Sequence, residues 1–283
     1  MIRIVTVPLD LTDTADRAIA PANVIARQLD AIVELAVVTS PGLDRLADEH
    51  ALAQRAEQVT GVATERVVLS ANDELAALAP YLEDTERLVC MASHGRGRVG
   101  DVLAPSVTLA LTRGSARPVL VVGPHLGWWP GPVGTIYLGV DEHGVPGRVV
   151  EVLGDFADAL GSDVSLVHVR EPDGRIPRSI DDEVTIDGAL ARLRERGLSA
   201  GAVELVGDPA DTLSGLAARA AACSIIAVTT RVDTRLGRIL RGSVTSQLVA
   251  TSPVPVLVIP ATISVSGHPL VGDVVAIDSR RAR

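Results

Sequence analysis

Two stretches of this sequence carry residue types suited to holding an anion. The first is Ala92-Ser93-His94-Gly95-Arg96-Gly97-Arg98-Val99-Gly100, which leaves an apolar run and leads, with nine residues between, from Gly95 to Pro105-Ser106. The second runs from Thr229 through Val232 to Gly242-Ser243, again with nine residues in the gap. A loop of this kind between a strand and a helix start gathers free backbone N–H groups, and a serine there adds a hydroxyl, so the chemistry indicated is binding of a phosphate-like group. Asp10 and Asp141 each close an apolar run and would stand near such loops. All 26 basic residues are arginine, so a P-loop and Schiff-base catalysis are both excluded for want of a lysine. His94 and His143 have no Cys, Asp or Glu at ligand spacing and read as loop residues; there is no metal-binding motif. With no catalytic set in view, the chain reads as a non-enzyme.

These residues are spaced out by alternating elements. Short β-branched runs at 2–8, 31–39, 64–69, 87–92 and 118–122 read as buried strands. Between them lie helical patterns at 12–30 (Thr12 or Asp13 as cap), 43–59, 72–82 (Asn72 as cap) and one opening near Ser106. The rhythm breaks at 123–134, where glycine and proline cluster around Trp128-Trp129, read as a linker pinned to a domain by its indoles. It then restarts, with strands at 135–140, 163–169, 202–206, 224–228 and 255–259 and helices at 148–160, 180–196, 209–221 and from Gly242-Ser243. Ser106 and Ser243 lie 137 residues apart, as do Pro118 and Pro255, whereas Asp10 and Asp141 lie 131 apart. The pattern is a duplication of roughly 130 residues, too long a period for a solenoid, with about six extra residues in the second copy, most simply placed at 170–177. The expected domains are 1–124 and 135–260, with a linker at 125–134. A tail at 261–283, outside both copies, has one apolar run, 270–277, that reads as an edge strand.

Composition supports this. A chain of 283 residues suits two domains, and 47% hydrophobic residues with only five aromatics predict a core of Val, Leu, Ile and Ala. The net charge of −9 is evenly spread, with 11 Arg against 16 acids in 1–125 and 12 against 17 in 126–260, so no nucleic-acid surface is expected. Cys90 and Cys223 read as two buried thiols. The N-terminus is a strand rather than a signal peptide and no run is long enough to span a membrane, so a cytoplasmic protein is expected.

The residues quoted resemble the signature of the universal stress protein family, G-x2-G-x9-G-[ST] followed by a helix and a Pro-Val-aliphatic strand. Here it reads Ala92-x2-Gly95-x9-Pro105-Ser106 and Thr229-x2-Val232-x9-Gly242-Ser243-Val244. Gly207-Asp208-Pro209-Ala210 resembles the family's turn before its third helix. The resemblance, to a tandem member with two repeats, covers residues 1 to about 260. It implies an α/β fold of two doubly wound, Rossmann-like parallel sheets in strand order 3-2-1-4-5. The ligand, ATP or another adenine nucleotide, is implied at each switch point, outside the carboxyl ends of the strands. In ATP-binding members, the early aspartate and the end of the second strand (here Val38 and His168) flank adenosine, and the glycine loop and [ST] hydroxyl hold ribose and phosphates. The implied binding residues are therefore Asp10, Val38, Ala92, Gly95, Gly97 and Ser106 in the first copy, and Asp141, Gly242 and Ser243 in the second. An intramolecular pseudo-dimer through the last strands is also implied, and a homodimer is the further option.

Both copies depart from the pattern. Gly95, Gly97 and Gly100 keep a loop able to adopt positive φ, but Pro105 lacks the N–H that glycine would offer. The second copy keeps Gly242-Ser243 but places β-branched Val232 where glycine is expected, and Asp233 beside the implied phosphates. The first copy is thus the better site. Arg96 and Arg98 in one loop, and Arg231, Arg235, Arg238 and Arg241 in the other, read either as phosphate partners or as solvated surface. Asp10 likewise reads two ways, as a ligand contact or as a cap for its own loop. The alternative to a nucleotide-binding regulator is an interaction or scaffold module with both sites degenerate.

Overall fold

A computed structural model describes residues 1–43, 45–93, 117–141, 144–170, 183–220, 223–230 and 244–261. The chain forms two compact units, one containing Met1–Pro124 and the other beginning at His125.

The first unit runs β1 (Ile4–Leu9), α1 (Asp13–Asp16), α2 (Ile19–Leu29), β2 (Ile32–Thr39), α3 (Arg45–Ala56), β3 (Thr64–Ser70), α4 (Glu74–Glu83), β4 (Arg87–Ala92) and β5 (Val119–Val122). Its strands are all parallel, in the order β3-β2-β1-β4-β5. β5 and the last five residues of β4 are wholly buried, as expected of strands with helices on both faces. The helix expected over 12–30 is two helices. Pro21 has no N–H to offer the carbonyl of Arg17 and its ring crowds that group, so the turn closes at Arg17 and helix resumes at Ile19. Of the two caps foreseen, Thr12 takes the role, its hydroxyl accepting from Ala15 N. The cap of α4 is Asp73 rather than Asn72, with its carboxylate accepting from Leu75 N and Ala76 N.

The amino end of this sheet holds a charged network. Glu34, buried in β2, lies in register with Thr6 of β1. Arg87 donates through Nη1 to Glu34 Oε1 at 2.5 Å and to Thr6 Oγ1 at 3.0 Å, and through Nε to Asp84 Oδ2 at 3.0 Å. Its guanidinium stands 4.7 Å from the centre of the Tyr81 ring. Burial works to lower the Arg87 pKa, but Glu34, Tyr81 and Asp84 together outweigh it and the net shift is upward. Burial, and then the Glu34 charge, push the Tyr81 hydroxyl up to about 12.

The second unit runs β6 (Val133–Val140), β7 (Val145–Pro146), α5 (Gly147–Leu160), β8 (Asp163–Arg170), β9 (Glu183–Val184), α6 (Ile186–Glu195), β10 (Ala200–Val206), α7 (Pro209–Ala218), β11 (Cys223–Thr230), α8 (Val244–Thr251) and β12 (Val256–Pro260). Its five long strands are parallel, in the order β10-β8-β6-β11-β12, the same winding as the first unit. Each unit is therefore a doubly wound sheet in the order 3-2-1-4-5. α5 buries Val149, Val150, Leu153, Phe156, Ala157 and Leu160 at helical spacing and stops at Gly161, whose φ of +62° closes the last turn.

Two features of this unit depart from expectation. The helix expected over 180–196 begins at Ile186, capped by Thr185, because the residues before it form β9. β9 pairs antiparallel with β7, a second short strand the periodicity does not reveal. The linker also divides its tryptophans. Trp129 is buried and its indole N–H donates to Ser224 O at 3.0 Å, while Trp128 is 91% exposed. Gly127 N donates to Pro253 O at 2.9 Å and Gly131 N to Cys223 Sγ at 3.0 Å, so the segment is fastened to this unit throughout. Cys90 is a buried thiol, as expected, and burial raises its pKa well above the ordinary thiol value; Cys223 is only half-buried. Among the described residues no helix is long and apolar enough to cross a membrane.

Candidate functional site

In each unit the strand order reverses beside the first strand, which places the crevice at the carboxyl ends of β1 and β4 in one unit and of β6 and β11 in the other. The loop leaving β1 is built on Asp10. Its Oδ1 accepts from Thr12 N at 3.0 Å and from the Thr12 hydroxyl at 2.6 Å, a side-chain turn that sets Thr12 up as the cap of α1. Leu11, between them, takes φ +61°, a conformation that costs a branched-chain residue free energy. Its carbonyl is held by Arg55 Nη2 at 2.7 Å, and the same guanidinium reaches Asp16 through Nε at 2.6 Å. One arginine from α3 thus fastens both sides of the loop that carries Asp10. No sequence pattern links positions 39 to 44 residues apart; only the tertiary fold brings them together.

The other first-unit residues stand where the doubly wound sheet puts them. Val38, half-buried, lies in register with Leu69, one residue before Thr39, whose hydroxyl donates to Asp48 on α3. Ala92 ends β4, buried and paired with Val122, and Ser93 N still donates to Val122 O at 2.8 Å. Asp10, Val38 and Ala92 therefore close three neighbouring strands. Gly95, Gly97 and Ser106, with His94 and Pro105, lie outside the described residues.

The loop leaving β6 begins similarly and ends differently. Gly144 N donates to both the carboxylate and the carbonyl of Asp141, each at 3.2 Å. Gly144 has φ +120°, and a Cβ there would come within 2.1 Å of Val184 O. A Cβ on Gly188 would lie 2.8 Å from Val184 Cγ1, and the Gly147 position faces Val184 Cγ2 at 3.6 Å. Val184 of β9 therefore sits in a socket of three glycines, which ties the loop after β6 to the segment in front of α6. Among the described residues of the first unit no strand makes such a bridge. Sequence reasoning missed this socket, although Gly-Val-Pro-Gly at 144–147 is a legible turn signal.

His168, two residues before the end of β8, pairs in register with Val140 and Glu204. It lines an open pocket of 430 Å³ with Leu166, Thr185, Asp187, Ala202 and Glu204, on the β8–β10 side of the sheet. Thr229 is half-buried near the end of β11, paired with Ile259. Gly242, Ser243, Val232, Asp233 and His143 lie outside the described residues. No group of three or more metal-ligating side chains occurs among the described residues. What the described parts of both sites offer is hydrogen-bonding groups and a hydrophobic strand floor, suited to binding a polar molecule.

Residues 132–260 match the model of the Universal stress protein family. No curated protein matches the chain. Over almost its whole length the chain is similar in fold to a functionally unknown protein from Pseudomonas aeruginosa PAO1, at 18% identity with 92% of each chain covered and a TM-score of 0.58. It is similarly close to a universal stress protein from Archaeoglobus fulgidus DSM 4304, at 17% identity, 91% of this chain and 96% of that chain, and a TM-score of 0.58. The cytoplasmic domain of a prokaryotic cation chloride cotransporter is also similar, at 12% identity, 92% and 96% coverage, and a TM-score of 0.52. At these identities the likeness is one of fold.

Proposed function

We propose that this chain is a non-enzymatic, cytoplasmic regulatory protein of the universal stress protein type, a duplication whose first copy binds an adenine nucleotide, with ATP the first candidate. Asp10, Val38 and Ala92 would frame the base and ribose, and Gly95, Gly97 and Ser106 the phosphates. The corresponding Asp141, Gly242 and Ser243 would mainly serve the fold of the second copy. The observation that carries this reading is the contrast at the two crevices: the loop after β1 is fixed by Arg55 with no described strand across it, whereas the loop after β6 is tied down by the β7–β9 ribbon. Packing of the two copies as a pseudo-dimer through Val119–Val122 and residues 256–259 belongs to the same proposal, and chains carrying one copy each should then associate when mixed.

Equilibrium dialysis against ATP tests the nucleotide. Binding should be saturable, near one mole per mole, lost in Gly95→Val, and unchanged in a Gly242→Val variant. Absence of binding at millimolar ATP would overturn the reading. A second reading, an interaction module without nucleotide, draws on the fact that both aspartates already engage their own loops; failure of dialysis with a folded protein would favour it.

A further inference from the structure

β10 is the outer strand of the second unit's sheet and, among the described strands, pairs with β8 alone. Gly207 N donates back to Arg170 O at 3.1 Å, so the odd-numbered residues turn their backbone groups towards β8 and the even-numbered ones turn outward. Of the outward groups, Ala200 O is occupied by Arg194, at 3.0 Å from Nε and 2.8 Å from Nη2. Among the described residues no group meets the outward N–H and C=O groups of Ala202, Glu204 and Val206, which form a row able to pair with another strand. Neither proline nor a bulge interrupts this edge: residues 200–206 contain no proline and the register with β8 is unbroken, and the charges on it are Glu204 and the Arg194 guanidinium at Ala200 O. Val203 and Val206 are 39% and 60% exposed on it.

The pocket that His168 lines opens beside this edge. Its floor is apolar, from Leu166 and Ala202, and its polar wall carries two carboxylates, Asp187 and Glu204, against one imidazole. Among the described residues the ion pair there is Arg170 with Glu204 at 3.6 Å, with both side chains more than half exposed, a contact weak enough to exchange for a better placed cation. A second copy of the same strand is a poor guest, because the fullest antiparallel register, centred on Val203, sets the guest's Glu204 opposite Ala202 and so brings a carboxylate rather than a cation to the pocket. We propose that β10 accepts an extended segment of a partner protein by strand addition, with a basic side chain of that segment entering the His168–Asp187–Glu204 pocket. Backbone pairing would supply affinity and the pocket the choice of side chain.

The test is residue-resolved amide exchange of the full chain with 2 mM capped pentapeptide Thr-Val-Arg-Val-Thr, and with its Glu and Ala counterparts. The Arg peptide should slow exchange at Ala202, Glu204 and Val206 at least fivefold while the Glu peptide leaves them unchanged. The Asp187→Asn, Glu204→Gln pair, at exposed positions and checked by circular dichroism to be folded, should remove at least three-quarters of the slowing. Equal protection by all three peptides, or none by any, would overturn the proposal. So would amides already protected in the free chain and released by deleting residues 262–283, which would make the chain's own tail the occupant. Protection that grows with protein concentration alone would assign the edge to a second copy.

Discussion

The loops after β1 and β6 begin at the same place in the same winding, each from an aspartate that ends the first strand, and they are secured by opposite means. After β1, side chains do the work: Asp10 accepts from Thr12, and Arg55 crosses from α3 to hold a left-handed Leu11 and to pair with Asp16. After β6, backbone does it: Gly144 turns the chain into a two-residue strand, and β9 locks on through a valine seated among glycines. The amino ends of the sheets repeat the contrast. Glu34, Arg87 and Thr6 tie the first sheet through charge, while an indole N–H on Ser224 O and the hydroxyl of Ser162 on Val133 O tie the second. One winding thus tolerates either solution, because it needs the loop placed and does not dictate how.

Substitutions that attack each device separately should break this comparison. The largest effect is expected from Gly144→Val, which combines φ +120° with a Cβ driven into Val184 O. It should cost the second unit about 4 kcal/mol, read by chemical denaturation, and amide exchange should rise in β7 and β9 while α1 stays unaffected. Glu34→Ala should cost the first unit about 3 kcal/mol by leaving Arg87 without its principal partner, and Glu34→Ala with Arg87→Met should recover part of that loss. Next comes Arg55→Met, which keeps the aliphatic stem and removes both loop contacts. Its expected cost is about 2 kcal/mol, with the added consequence under the proposed function that ATP affinity falls while the Gly144→Val protein still binds. Thr12→Ala removes one cap, about 1 kcal/mol, visible as faster exchange at Ala15.

The last expectation is a pH dependence that Tyr81 gives the first unit. The Tyr81 pKa is raised in the fold, from 10.0 to about 12. The folded form therefore keeps a proton that the unfolded chain has lost, so stability present below pH 10 should decline as pH rises towards 12. Denaturation midpoints across that window should fall less in Tyr81→Phe. An equal fall in both proteins would assign the decline to groups other than Tyr81.

The alternation of parallel strands and helices, the strand positions and some helix starts were legible, because each rests on local pattern: β-branched runs such as 87–92, the cap at Thr12, the Asp208-Pro209 start of α7; the strand order followed from the family resemblance instead. Misreadings arose where two local signals compete or a distant segment intervenes. Pro21 was written into an otherwise continuous helical pattern, and a two-residue strand such as β9 has too few residues to show a period of two. Asp10 was left with two roles by the sequence, and the structure gives it its own loop as a partner, through Thr12.

The sequence by itself determined an α/β chain whose strand–helix rhythm starts twice, each time with an aspartate closing the first strand, since hydrophobic period and residue type act within a few positions. The tertiary structure alone decided how each aspartate's loop is held and what lies open beside it. Arg55 meets Leu11 across 44 residues, Val184 meets Gly144 across 40, and Glu204 comes beside His168 only through the register of β10 on β8. Such contacts depend on the three-dimensional path of the chain, which no local spacing encodes.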